Sequence, residues 1–156
     1  MNKTIYFAHP ISLYNTPFES AVVENLIARG YEVVNPGEAK YQEEYLKRRS
    51  SNPEEHVMVY WLELAGTCTE CLFVPFPECE PGTEIPYSEN LLVGAGVVGE
   101  VDSFVRKGLP VYWTWPPNSI EWVDEVQLIA FHDWDDFQRL TVAQTRAVLR
   151  AHGVKR

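Results

Sequence analysis

Thr4-Ile5-Tyr6-Phe7-Ala8, then Thr16-Pro17-Phe18-Glu19, then Gly30-Tyr31-Glu32-Val33-Val34-Asn35-Pro36-Gly37 are the three stretches that decide the fold. The first is a short apolar, aromatic and β-branched run suited to a buried strand. The second opens a helix, with Thr16 as N-cap, Pro17 at the first helical position and Glu19 completing a capping box. Phe18, Val22 and Leu26 run down one face of that helix, and Gly30 stops it. Tyr31 to Val34 is a second strand, closed by Asn35-Pro36-Gly37. Strand, helix and strand so placed make a βαβ unit, whose crossover is right-handed in nearly all folds.

The same alternation continues to the end of the chain. Residues 37 to 52 are polar and charged, with Tyr41 and Tyr45 one helical turn apart, and fit a surface loop or short helix. Asn52-Pro53-Glu54-Glu55 starts a helix running to about Ala65, apolar around more than one face through Val57, Met58, Tyr60, Trp61, Leu62 and Leu64. Such a helix is deeply buried or shared with another subunit, which predicts a homo-oligomer, a dimer or larger. Cys71 to Pro75 reads as a third strand, and a loop rich in Pro, Gly and Glu follows from Phe76 to about Asn90. A helix carrying Val97, Val101, Phe104 and Val105 ends on Arg106-Lys107 with Gly108 beyond it. Leu109 to Trp113 is a fourth strand, Gln127 to Ala130 a fifth, and Thr141 to His152 a closing helix. The chain therefore reads as α/β: a single Rossmann-like (flavodoxin-like) domain over residues 1–156, with a mostly parallel five-stranded sheet and helices on both faces.

Bulk properties narrow the function. At 156 residues and 46% hydrophobic content there is enough chain for one well-packed core and too little for two comfortable domains. A formal net charge of -9 argues against nucleic acid or an anionic membrane as partner, since no basic surplus exists to neutralise phosphates. No stretch approaches the roughly 20 apolar residues of a membrane span, and the first residues lead into a strand pattern without a signal-peptide layout, so a cytoplasmic location is expected.

Two motifs invite cofactor chemistry and fit it poorly. Cys68 and Cys71 are spaced as C-x-x-C, but a zinc site needs a fourth ligand beyond Cys79, and none of His9, His56, His132 or His152 stands at finger-like spacing. The pair also ends a helix and enters a strand, the reverse of a thioredoxin-type motif. Gly94-Ala95-Gly96-Val97-Val98-Gly99 is a literal G-x-G-x-x-G, yet it follows a long loop late in the chain, whereas the dinucleotide fingerprint lies between the first strand and first helix. No cofactor and no metal are expected. Backbone amides at Gly94 and Gly96 remain candidates for holding a phosphate or a sugar hydroxyl.

Ligands of open α/β sheets bind at the carboxyl ends of the strands. The loops leaving the first three strands carry His9-Pro10-Ile11-Ser12, Asn35-Pro36-Gly37-Glu38 and the segment from Phe76 to Gly96. These should open onto one crevice. Glu100 follows the glycine run on the flank of the apolar stripe of its helix, with the surroundings a sugar-attacking carboxylate needs. A favourable acid near a helix N-terminus would look the same.

With these pieces placed, the sequence resembles the nucleoside 2-deoxyribosyltransferase-like superfamily, which includes deoxyribosyltransferases and nucleotide N-glycosidases. The resemblance rests on Ile5-Tyr6-Phe7-Ala8-His9-Pro10-Ile11, on Gly30-Tyr31-Glu32-Val33-Val34-Asn35-Pro36, and on Gly96-Val97-Val98-Gly99-Glu100 followed by Gly108-Leu109-Pro110-Val111. It implies a glutamate nucleophile, Glu100, that attacks the anomeric carbon of a nucleoside or nucleotide, expels the base and leaves a glycosyl-enzyme ester for water or a second base to resolve.

The resemblance also implies that the turn from His9 to Ser12 touches the sugar or its phosphate, with His9, Pro10 and Ser12 as candidate contacts and Tyr14 beside them. Two departures stand out. Where relatives often carry a substrate-binding Asp or Ser, six residues before the nucleophile, this chain has Gly94, with Asn90 or Glu89 the nearest substitutes. The helix before the third strand usually offers an acid toward the base, and here only Glu63 is a candidate. Tyr41 or Tyr45, together with Tyr6 or Phe7, are candidates to stack on a flat base. Two classes follow: an enzyme that cleaves or transfers an N-glycosidic bond, or a non-catalytic nucleotide- or nucleoside-binding module on the same scaffold.

Overall fold

A computed structural model describes residues 3–77, 91–117 and 120–154. The elements run β1 (Lys3–Ala8), α1 (Pro17–Ala28), β2 (Tyr31–Val34), α2 (Ala39–Ser51), α3 (Met58–Ala65), β3 (Glu70–Phe73), β4 (Leu91–Val93), α4 (Ala95–Arg106), β5 (Val111–Trp113), β6 (Ile129–Ala130), β7 (Phe137–Arg139) and α5 (Val142–Ala151). A five-stranded sheet has the order β2-β1-β3-β5-β6. Its first four strands are parallel, and β6 pairs antiparallel with β5 through Tyr112 and Trp113. The fold is the expected α/β sheet with helices on both faces.

Alternation along the strands divides the core. Ile5 and Phe7 on β1 and Leu72 on β3 pack with Phe18, Val22 and Leu26 of α1 on one face. Tyr6, Ala8, Cys71, Phe73 and Val111 meet Val97, Val101 and Phe104 of α4 on the other. Successive strand residues point to opposite faces, so β1 separates the two layers residue by residue. A third cluster of Phe76, Leu140, Val148 and Leu149 lies beside the short parallel pair β4–β7, which the sequence reading did not foresee.

Two helices differ from expectation. Residues 39–51, read as a loop or short helix, form three and a half turns with no fully buried residue. Their anchor is electrostatic: Arg48 reaches Glu55 with Nε at 2.8 Å and Glu63 with Nη1 at 2.5 Å, tying α2 to the segment that includes α3. The next helix begins at Met58 and not at Pro53. Tyr60 and Ala65 are buried in it, and Val57 just before it is exposed.

The glycines of the α4 segment serve close packing. A side chain at Gly94 would meet Phe76 and Thr145, while Cβ atoms at Gly96 and Gly99 would face Met58 of α3. At Gly99 the nearest atom, Met58 Cε, lies 3.5 Å away, an ordinary contact. Gly99→Ala should therefore gain the helix propensity that glycine lacks and stabilise the fold by about 0.5–1 kcal/mol in denaturant unfolding; a loss of that size would show that the α3–α4 interface tolerates no added methyl.

Candidate active site

Tyr6 stands near the middle of β1 with its ring fully buried against α4. A phenol there needs a partner for its hydroxyl. It finds one in Glu100, whose Oε2 accepts the Tyr6 O–H. Glu100 sits in the second turn of α4, as its sixth residue, and is only 8% exposed. Val97, Val101 and Phe104 on the same helix carry it into the core, so the glutamate lies deeper than the crevice edge expected for it.

Burial sets its chemistry. Desolvation pushes the Glu100 carboxyl from an ordinary 4.5 up to about 7, and the hydrogen bond from Tyr6 acts in the opposite direction. Tyr6 is itself held well above its ordinary value by burial and by the charge of Glu100, so it remains a donor. Cys71 on β3 is pushed up by burial first and by the Glu100 charge next. A carboxyl poised near 7, with a fixed donor on one oxygen, can supply a nucleophile or a proton acceptor at neutral pH.

His9 begins the loop after β1 on the opposite face. Its ring stacks on Phe7 at 3.9 Å between centroids and is 3% exposed as a residue. Nδ1 donates to the Phe7 carbonyl at 2.8 Å, and Nε2 lies 2.6 Å from Glu19 Oε2. Glu19 also accepts from the Asn15 N–H at 3.1 Å. The capping box is thus half made: the Glu19 N–H reaches Thr16 Oγ1, while the Glu19 side chain turns to His9 and Asn15 and leaves the Thr16 N–H aside. Burial raises the Glu19 carboxyl, but His9, the Asn15 N–H and the Asn35 side chain outweigh it and hold its pKa below the ordinary value.

This network ties the β1 and β2 loops together. Asn35 Oδ1 accepts from the Gly37 N–H at 2.9 Å, and Gly37 passes so close to Glu19 that a Cβ would collide with Oε2 and stand 3.2 Å from Asn35 Oδ1. His9, expected at the sugar, has both ring nitrogens engaged in holding this turn. Pro10 is buried and its carbonyl accepts from the Leu13 N–H at 2.9 Å. Ser12 Oγ is buried and finds no hydrogen-bond partner among the described residues. The Tyr14 ring centroid lies 4.8 Å from that of His9, tilted by 58°.

The remaining candidates divide. Tyr41 on α2 packs against the cluster that contains Tyr6 and Ala8, and Tyr45 lies against Tyr60 and Trp61 at 5.9 and 5.0 Å. Gly96 is half-buried opposite Met58, and Gly94 is buried under Phe76 and Thr145. Thr145 Oγ1 accepts from the Ala95 N–H at 2.9 Å, so a side chain of α5 occupies the first amide of α4. Asn90, Glu89 and Cys79 lie outside the described residues.

Two expectations are corrected. Tyr6 and Phe7 are fully buried, so neither can stack on a base. Glu63 is exposed and engaged by Arg48, so it is not the acid that faces a base. The Tyr6–Glu100 bond joins residues 94 positions apart, and the only sign of it in the sequence is that a phenol on a buried strand needs a partner. Among the described residues no cluster of His, Cys, Asp and Glu is arranged to hold a metal ion, and no helix is long and apolar enough to cross a membrane. Comparison with family models, curated proteins and solved structures finds no match to this chain.

The turn makes its own prediction. Gly37→Ala should force Glu19 from His9 and destabilise the protein by about 1–3 kcal/mol, because it leaves a buried polar pair unmade. Urea unfolding checks this, and an unchanged midpoint would remove the network from the fold's support.

Proposed function

We propose that this protein cleaves or transfers the N-glycosidic bond of a nucleoside or nucleotide, with Glu100 as nucleophile. The observation that carries the reading is a carboxyl buried on α4 against a parallel sheet, raised to about 7 and hydrogen-bonded by Tyr6. In the first step a Glu100 oxygen forms a bond to the anomeric carbon. The carbon–nitrogen bond breaks, its electron pair leaves with the base, and the base takes a proton from solvent. In the second, water or another base attacks the anomeric carbon and releases the carboxylate. No external cofactor enters these steps. Tyr6 orients Oε2, and Oε1, which no hydrogen bond holds among the described residues, is the oxygen that attacks.

The partner is a small nucleoside or nucleotide and not nucleic acid, and a membrane role is not proposed. The protein is placed in the cytoplasm, where Cys68 and Cys71 remain thiols. It is proposed to be a homodimer or larger, with exposed Trp115, Ile120 and Trp122 contributing apolar surface for self-association. A second reading, a nucleoside- or nucleotide-binding module without turnover, is favoured by the occupied positions of His9 and Gly94, which leave fewer groups to grip substrate.

Incubation with a panel of nucleosides and 5′-monophosphates, followed by chromatography for free base, separates the two. The enzyme reading predicts release that falls at least about 10³-fold in Glu100→Gln. Release by wild type that persists in this variant would exclude Glu100 as the nucleophile. Binding without release in wild type would support the module.

The pH dependence follows from the same carboxyl. Only the ionised form attacks, so kcat/KM should rise with pH to about 7 and then level. Tyr6→Phe removes the hydrogen bond that lowers the Glu100 pKa, and the rising limb should move to higher pH. A limb that stays in place would assign it to another group.

Stability runs the other way. Between 4.5 and about 7 the folded state keeps a proton that the unfolded state has released, so folding weakens as pH rises through this window and stays weaker above it. The interval from 4.5 to about 7 corresponds to on the order of 3 kcal/mol. Glu100→Gln should therefore be more stable than wild type above neutral pH and lose most of this pH dependence, as thermal unfolding at a series of pH values would show.

A further inference from the structure

His9 presents both ring nitrogens to acceptors. The Phe7 carbonyl, 2.8 Å from Nδ1, can only accept, so Nδ1 carries a proton. Nε2 lies 2.6 Å from Glu19 Oε2, and two atoms so close share a proton, since a bare ring nitrogen and a carboxylate would set lone pair against lone pair. Glu19 is the better seat for negative charge, because Oε1 accepts the Asn15 N–H at 3.1 Å and the Asn35 side chain bonds to the same carboxylate. The shared proton therefore belongs on Nε2, and the pair is an imidazolium against a carboxylate. With His9 3% exposed and Glu19 6%, solvent screens it little.

The groups around the pair depend on it. Asn15 stands at φ 59°, in the left-handed region that residues other than glycine rarely adopt, and Glu19 holds its N–H there. Gly37 and Asn35, at the end of β2, close around the same carboxylate. Phe7 and Tyr14 face the His9 ring at 3.9 and 4.8 Å, and among the described residues His9 is the cation that pairs with Glu19. Yet Glu19 has a second place to go. It is the third residue of α1, from which a capping box would turn its side chain back onto the Thr16 N–H. In α5 that box is complete, with Gln144 Oε1 accepting from the Thr141 N–H at 3.0 Å. In α1 only the Thr16 Oγ1 half is made, because Glu19 is drawn to His9.

We propose that His9 and Glu19 form a proton-operated latch on the loops that leave β1 and β2: with a proton on Nε2 the glutamate is held on His9, and without it the glutamate moves to the Thr16 N–H and completes the capping box. Both positions satisfy the carboxylate. Only the first supports Asn15 and joins the turn after β1 to Asn35 and Gly37, so loss of the proton releases the two loops from each other. Ligands of a parallel sheet meet these loops, and the latch therefore sets the shape of the rim through pH. On the acid side the latched state is lost as pH falls through the Glu19 value, which its donors hold below the ordinary carboxyl range. The latch is independent of the reaction proposed for Glu100.

Nitrogen-15 NMR of the wild-type protein, titrated upward from about pH 5, reads the His9 ring and the backbone amides together. At neutral pH both ring nitrogens should carry protons. As the pH is raised the Nε2 proton should leave in one step, and at the same pH the Asn15 amide should lose about tenfold in protection from hydrogen exchange while the Thr16 amide gains about as much. His9→Gln keeps an N–H donor that does not titrate, and should hold Asn15 protected and Thr16 unprotected across the range. An Nε2 without a proton at neutral pH, an Nε2 that keeps it until the protein unfolds, or a titration that leaves both amides unmoved would each overturn the latch, as would the same step in His9→Gln. None of these readings requires turnover, so the latch and the glycosidic reading stand or fall separately.

Discussion

A carboxylate taken out of water must be compensated or must hold its proton, and that constraint organises the molecule around Glu100. Among the described residues the compensation offered is one hydrogen bond from Tyr6, on a strand whose neighbours on both sides pair with it in parallel. Val97, Val101 and Phe104 are the other buried residues of its helix, and all three are apolar. One donor is enough to fix the position of the carboxylate and too little to keep its pKa low. Position and raised pKa therefore come from the same site, an arrangement that costs stability above neutral pH.

The opposite face of β1 shows the other solution. Glu19 is also buried, yet it is met by His9, by the Asn15 N–H and by the Asn35 side chain, and its pKa falls below the ordinary value. Two glutamates on two sides of one strand are thus driven apart by their surroundings. The fully bonded one locks the loops at the carboxyl ends of β1 and β2. The one on α4 has, among the described residues, a single donor in Tyr6, and its carboxyl is raised to about 7.

The parts of the fold that were legible in the sequence are those set by local rules. Thr16, Pro17 and Glu19 mark the start of α1, and the Tyr31–Val34 strand falls where its aromatic and β-branched residues put it. The polar segment from residue 39 carries no apolar stripe to announce a helix of its length, because Arg48 anchors it to Glu55 and Glu63, a contact with no periodicity. β4 and β7 escaped because three-residue strands give no alternation to read. At the candidate site, the place of Glu100 on the helix after the glycine run is legible, whereas its burial against Tyr6 and the engagement of His9 by Glu19 ten residues away are not. Such a partner is written in the tertiary structure alone.

The glycine run before Glu100 shows why a motif needs its neighbours. A G-x-G-x-x-G can expose backbone amides to phosphate or allow other chains to approach closely, and the sequence permits both. Here Phe76 and Thr145 crowd Gly94, Thr145 takes the Ala95 amide, and Met58 lies against Gly96 and Gly99. The glycines draw α3 and α5 onto α4, and the start of that helix is thereby partly closed to a ligand. Close approach of α3 to α4, with Met58 against Gly96 and Gly99, is what the missing side chains permit, so the glycines position the helix that carries Glu100 through packing.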